Sequence, residues 1–128
     1  MIYIDSSVAL ARLLFEPRSP REQFWQAQLV SSRLLEYEVW NRVHAYGLTG
    51  SHGNAARALL MGIELVEMDQ RALARALEPL PIPLRTLDAL HLATVDHLHR
   101  GAGTVELASY DNRLLAAARA LGVPVAEL

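Results

Sequence analysis

Met1-Ile2-Tyr3-Ile4-Asp5-Ser6-Ser7 opens the chain, and Val8-Ala9-Leu10-Ala11-Arg12-Leu13-Leu14-Phe15 follows it. The apolar run stops at an acid and two hydroxyls, after which the apolar spacing turns helical. A buried strand therefore ends, and a helix begins, at Asp5. Asp and Ser at such a junction serve as ordinary helix caps. In open α/β sheets, however, ligands bind in the crevice at the carboxyl ends of the strands, so an acid there is also a candidate for chemistry.

The same alternation continues outward. After the break at Glu16-Pro17-Arg18-Ser19-Pro20, Arg21 to Gln28 reads as a short amphipathic helix and Leu29-Val30 as a second strand. Ser31-Ser32 offers a cap for a helix from Arg33 to about Tyr46. Gly47 to Gly53 reads as a turn, Asn54 to Met61 as a helix, and Ile63 to Met68 as a third strand. Asp69 caps a predicted helix to Glu78, and Pro81 and Pro83 force an extended connector. A helix capped by Thr86 and running to His99 is closed by Gly101 and Gly103. Val105 to Tyr110 is a fourth strand, Asn112 to Leu121 a helix stopped by Gly122, and Val123 to Ala126 a last strand. Strands alternating with helices imply a mainly parallel sheet covered on both faces.

At 128 residues, 52% hydrophobic and 20% charged, the chain has the composition of one globular domain. It has no cysteine, which excludes disulfides and thiolate metal sites. The twelve basic residues are all arginine, a composition that GC-rich coding produces without functional cause. The absence of lysine removes Schiff-base chemistry and the P-loop lysine. The net charge of −2 argues at first against a nucleic-acid partner. With four acids set aside around a cation, the remaining surface carries +2. The chain starts in a strand, without a secretory signal, and no apolar run approaches the ~20 residues that span a bilayer. A cytoplasmic location is the expectation.

Of the five aspartates, Asp5, Asp88 and Asp111 fall at strand-to-helix or loop-to-helix junctions. In a parallel sheet, Asp5 and Asp111 emerge on one edge although they are 106 positions apart. Clustered carboxylates repel unless something positive lies among them. Hard divalent cations such as Mg²⁺ or Mn²⁺ suit oxygen ligands and leave positions for phosphate oxygens. Periodicity does not choose between Glu36 and Glu38, which both lie among apolar positions, and Glu38 can equally pair with Arg42 at i, i+4. Asp69 reads as a cap and Asp96 as part of a solvated face. Arg12, Arg42, Arg85 and Arg113 fall near the acids, where they can hold phosphates. His91 matches the apolar stripe of its helix, His97 and His99 are expected to face solvent, and none of the three is assigned a catalytic role.

Ile2-Tyr3-Ile4-Asp5-Ser6-Ser7-Val8, Ser31-Ser32-Arg33-Leu34-Leu35-Glu36-Tyr37-Glu38-Val39-Trp40-Asn41-Arg42, Leu87-Asp88-Ala89-Leu90-His91-Leu92-Ala93 and Ser109-Tyr110-Asp111-Asn112-Arg113-Leu114 resemble the four motifs of the PIN-domain ribonucleases. The chain is most similar to the VapC-type toxins of bacterial toxin–antitoxin pairs, from Met1 to about Val125. The resemblance implies a three-layer α/β/α PIN-like fold with a central, mainly parallel sheet of four or five strands, formed by residues 1–128 as a single domain. It implies Asp5, Glu38, Asp88 and Asp111 as the catalytic, metal-binding acids, because the second acid precedes an apolar pair and an Arg. Ser6 and Ser109 match the hydroxyl positions that hydrogen-bond the carboxylates or a metal water.

The implied activity is Mg²⁺-dependent cleavage of RNA, with Mn²⁺ able to substitute, to give 5′-phosphate and 3′-hydroxyl ends. The implied partners are a second copy of the chain and a small antitoxin in a groove of the early helices, where Phe15, Trp25, Tyr37, Trp40 and Leu48 are candidates. Arg113-Leu114 departs from the pattern of many PIN domains outside the toxin group, which carry a further acid and an aromatic there. Two alternatives belong to other classes. A PIN-like, non-catalytic RNA- or protein-binding module keeps this fold and loses metal affinity. A receiver-like signalling domain also gathers acids at strand ends but needs a lysine, which this chain lacks.

Overall fold

The structure, a computed structural model, describes residues 1–128, the side chain of Ala102 excepted. Strands β1 (Ile2–Ile4), β2 (Leu29–Ser32), β3 (Glu64–Val66) and β4 (Glu106–Ala108) form one sheet in the order β3-β2-β1-β4, with every pairing parallel. The helices are α1 (Ser6–Leu13), α2 (Leu34–Ala45), α3 (Thr49–Met61), α4 (Gln70–Leu73), α5 (Thr86–Ala102) and α6 (Asn112–Ala120).

Successive strand residues point to opposite faces, and here both faces are apolar. Tyr3, Val30 and Leu107 enter one core with Leu92 and Val95 of α5 and Leu114 of α6. Ile4, Leu29 and Ala108 enter a second with Val8 of α1, Leu35, Val39 and Val43 of α2, and Ala56 of α3. The result is the expected α/β fold, a central parallel sheet between helices. Its strands number four, because Val123 to Ala126 contributes only a single bridge, between Leu107 and Val125. Pro124 accepts from the Leu107 N–H at 2.8 Å but has no N–H of its own to continue a ladder.

Three other segments differ from their sequence reading. Arg21 to Gln28 holds a 3₁₀ segment, Glu22–Gln26, in place of an α-helix. Gly47 to Gly53 is not a turn throughout: α3 begins at Thr49, and buried Gly53 lets it approach α2, with the Trp40 ring about 3.9 Å from where a Cβ would stand. The helix capped by Asp69, whose carboxylate accepts from the Ala72 N–H at 2.7 Å, is α only to Leu73 and 3₁₀ from Ala74 to Leu77.

The strand order decides where a site can form. The chain steps from β1 to β2 to β3 in one direction and then returns to lay β4 on the other side of β1. That reversal makes the β1/β4 boundary the topological switch point, where a crevice opens at the strands' carboxyl ends. Ile4 pairs with Ala108, so Asp5 and Ser109 leave the sheet side by side.

Candidate active site

Asp5 is 3% exposed and tightly held. Its Oδ1 accepts from the Ser7 hydroxyl at 2.6 Å and the Val8 N–H at 3.3 Å, and its Oδ2 accepts from the Ser109 hydroxyl at 2.6 Å. The Val8 bond makes Asp5 the N-cap of α1, as its position suggested. The serines are held in turn: Ser7 Oγ accepts from the Tyr110 N–H and Ser109 Oγ from the Asp111 N–H, both at 2.9 Å. The carboxylate hydrogen bond at the start of α1 thus comes from Ser7, while Ser6 lines the adjoining cleft. Burial pushes the Asp5 carboxyl up, against the opposing pull of the two hydroxyls and of His91.

Asp111 lies three residues beyond β4 and N-caps α6, accepting from the Arg113 and Leu114 N–H groups at 2.9 and 3.1 Å. Asp88 stands in the first turn of α5, whose N-cap is Arg85 and not Thr86, without a side-chain capping bond. Burial raises the Asp88 carboxyl, and the negative charges of Asp111, Asp5 and, more weakly, Glu38 raise it further. One cleft of about 410 Å³ is lined by Asp5, Ser6, Asp88 and Asp111, together with Ser7, Leu10, Glu16, Arg18, Arg42 and Tyr110.

Glu38 does not line that cleft. Its carboxylate is 15% exposed and is bound by the His91 Nε2. Glu36 instead pairs with Arg33 at 3.0 Å, and Arg33 pairs with Glu67 at 2.8 Å, so of the two neighbours it is Glu38 that acts electrostatically on Asp88. As the side chains stand, no three of the described acids and histidines form a ready ligand set for a metal ion. The donors nevertheless match a hard divalent cation in kind: carboxylate oxygens, with the charge on Asp88 disfavoured by the acids around it, beside hydroxyls.

Two groups near the cleft, Glu16 and Arg18, were not legible in the sequence. Glu16 reaches it from the loop after α1, and Arg18 lies there with its guanidinium 4.6 Å from the Tyr110 ring centre. Arg42 also lines the cleft, bonded to Tyr46 at 3.3 Å and not to Glu38. Arg12 is committed elsewhere, its guanidinium gripping Glu22 at 2.5 and 2.9 Å. Arg85 and Arg113 are exposed. His91 is fully buried and hydrogen-bonded to Tyr3 as well as Glu38. His97 is exposed, but His99 is partly buried, its Nδ1 accepting from the Val105 N–H. Asp96 is not on a solvated face: it is 4% exposed and both its oxygens accept from Arg100 Nε.

A second, apolar groove of about 780 Å³ runs between α1, the 3₁₀ segment and α3. Phe15 and Trp25 line it. Tyr37 is 66% exposed outside it, while Trp40 and Leu48 pack on the α1–α3 core. Phe15 is a departure from backbone custom. The Glu16 N–H bonds the Ala11 carbonyl and the Phe15 N–H the Arg12 carbonyl, a Schellman cap whose left-handed residue, normally glycine, is Phe15 at φ 51°.

A family model described as "PIN domain" matches residues 2–120. Among curated relatives, Ribonuclease VapC46 of Mycobacterium tuberculosis is 37% identical over 127 residues, covering 97% of this chain and 95% of the relative. Ribonuclease VapC35 of the same species is 33% identical over 98% of the chain and 95% of the relative, and Ribonuclease VapC47 is 30% identical over 95% and 93%. With Asp5, Asp88 and Asp111 lining one cleft at the switch point of a parallel α/β sheet, and a family match over residues 2–120, the chain belongs to the PIN-domain family.

Proposed function

We propose that the chain is an Mg²⁺-dependent endoribonuclease, with Mn²⁺ able to substitute, and the toxin of a VapC-type toxin–antitoxin pair. The observation that carries this reading is the convergence of Asp5, Asp88 and Asp111 on one cleft, where the charges of Asp111 and Asp5 raise the Asp88 carboxyl. The ribonuclease names of relatives that match it over nearly their whole length support the choice of RNA.

In this reading Asp5, Glu38, Asp88 and Asp111 hold the cation. Bound there, it supplies activation of a water and neutralisation of the charge that develops on the phosphodiester, with 5′-phosphate and 3′-hydroxyl ends as products. The chain's own residues do the rest. Ser7 and Ser109 fix the Asp5 carboxylate, and Ser6 offers its hydroxyl to water in the cleft. Arg18 and Arg42 bind the phosphates flanking the cut. The apolar groove shares Glu16 with the acid cleft, and a small antitoxin segment lying in it would reach the acids. A single domain over residues 1–128, a homodimer and a cytoplasmic location complete the reading. Among the described residues no helix is long and apolar enough to cross a membrane.

The test is RNA cleavage by the whole chain with Mg²⁺, with chelator, and with Asp5→Asn, the product ends being typed by their susceptibility to phosphatase. Full metal-dependent activity in Asp5→Asn would overturn the mechanism. Calorimetry with Mn²⁺ separates this reading from the non-catalytic module, which would bind no metal at millimolar concentration.

A further inference from the structure

The site's acids are held by donors of a particular kind. Asp5 is bound by two hydroxyls and a backbone N–H. Glu38 is bound by an imidazole. Glu36, two residues from Glu38 and away from the cleft, is instead neutralised by a guanidinium.

The imidazole belongs to a buried chain of hydrogen bonds. The Ser32 N–H at the end of β2 donates to the Tyr3 hydroxyl at 3.2 Å. That hydroxyl lies 2.7 Å from His91 Nδ1, with the two rings edge to face at 76°. The other ring nitrogen, Nε2, bonds Glu38 Oε1. Tyr3 and His91 are both fully buried, so the ring is fixed at both nitrogens from within the protein.

We infer that His91 is a positioning residue of the ribonuclease site: fixed by Tyr3 at Nδ1, it holds the Glu38 carboxylate in place through Nε2. The inference rests on the proposed metal-dependent reading. It accounts for a histidine in an otherwise apolar helical stripe, three residues after Asp88. A leucine would leave the carboxylate free to swing. Partners that orient ligating groups in this way typically contribute about 10–100-fold in metal affinity or activity.

Measurements on the whole protein test it. Mn²⁺ titration calorimetry should show binding weakened about 10–100-fold in His91→Leu, with kcat reduced and KM for RNA little changed. His91→Gln, whose amide can donate from nearly the same point, should recover most of the loss. Thermal melts identify variants that simply unfold. Wild-type metal binding with an equally tight, folded His91→Leu sinks the inference alone. A wild type that binds no Mn²⁺ sinks the ribonuclease reading and the inference with it.

Discussion

Replacing Asp88 with asparagine should make the metal-free protein more stable while abolishing its proposed activity. The Asp88 carboxyl is raised by burial and by Asp111, Asp5 and Glu38, with only His91 opposing, and no hydrogen bond contributes to holding its charge. Unit charges about 7 Å apart repel by roughly 0.6 kcal/mol in water and about 2.4 kcal/mol at an effective dielectric of 20. Asp88 is only partly buried, so the three repulsions together, discounted for solvent screening, come to about 1–2 kcal/mol. Its place in the first turn of α5 contributes about 0.3–1 kcal/mol the other way. Repulsion wins, and Asp88→Asn should gain about 1 kcal/mol, or about 3–5 °C in Tm for a chain of this length.

The gain has a pH signature. A carboxyl raised in the folded state keeps its proton to higher pH than in the unfolded chain. The penalty on the wild type therefore grows as pH rises from the ordinary aspartate value near 3.9 through the folded value, and is complete at neutrality. Urea melts in chelator should show the variant ahead at pH 7.5 and level with wild type at pH 3. Divalent metal at a hundred times its Kd adds about 2.7 kcal/mol to the wild type alone and inverts the order. A variant less stable than wild type at pH 7.5 without metal, or equally advantaged at pH 3, refutes the reasoning.

Phe15→Gly should stabilise the chain by about 0.5–1 kcal/mol, because the left-handed residue of the α1 cap then carries no Cβ, even after the entropy that glycine adds to the unfolded state; a lower denaturation midpoint would show that the exposed ring repays its strain. Arg42→Ala should weaken RNA binding and lower the slope of log affinity against log salt by about 0.7–1, whereas Arg12→Ala should leave the slope unchanged because Glu22 already holds that guanidinium. Equal slopes for both variants would remove Arg42 from the phosphate contacts.

The parts of the fold that local patterning controls were legible. An apolar run ending at Asp5 or near Asp111 is a strand feeding a helix, and Asp69 caps as its type suggests. Glycine at positions 50 and 53 read as a turn, yet α3 runs through both because packing of Gly53 against Trp40 overrides propensity. Within the site, spacing along the chain carried the aspartates to one edge but said little about side-chain partners. Ser6 and Ser7 are equivalent as text, and only the backbone geometry after β1 decides that Ser7 faces Asp5. His91 fits an apolar stripe because a histidine whose two nitrogens are both satisfied inside the protein obeys the same burial rule as leucine. Glu16 and Arg18 reach the cleft from a loop without periodicity, so no pattern announced them.

The hydroxyl that completes the grip on Asp5 lies 104 residues downstream of it. During synthesis Asp5 and Ser7 precede β4, and β1 can pair with β2 while Ser109 and Asp111 are still to be made. Ser109 and Asp111 follow only after more than a hundred further residues, and β4 must slot beside β1 before Asp5 is clamped. Order of emergence thus acts as a timer on the chemistry: an interrupted or truncated nascent chain can possess most of its sheet and still be unarmed.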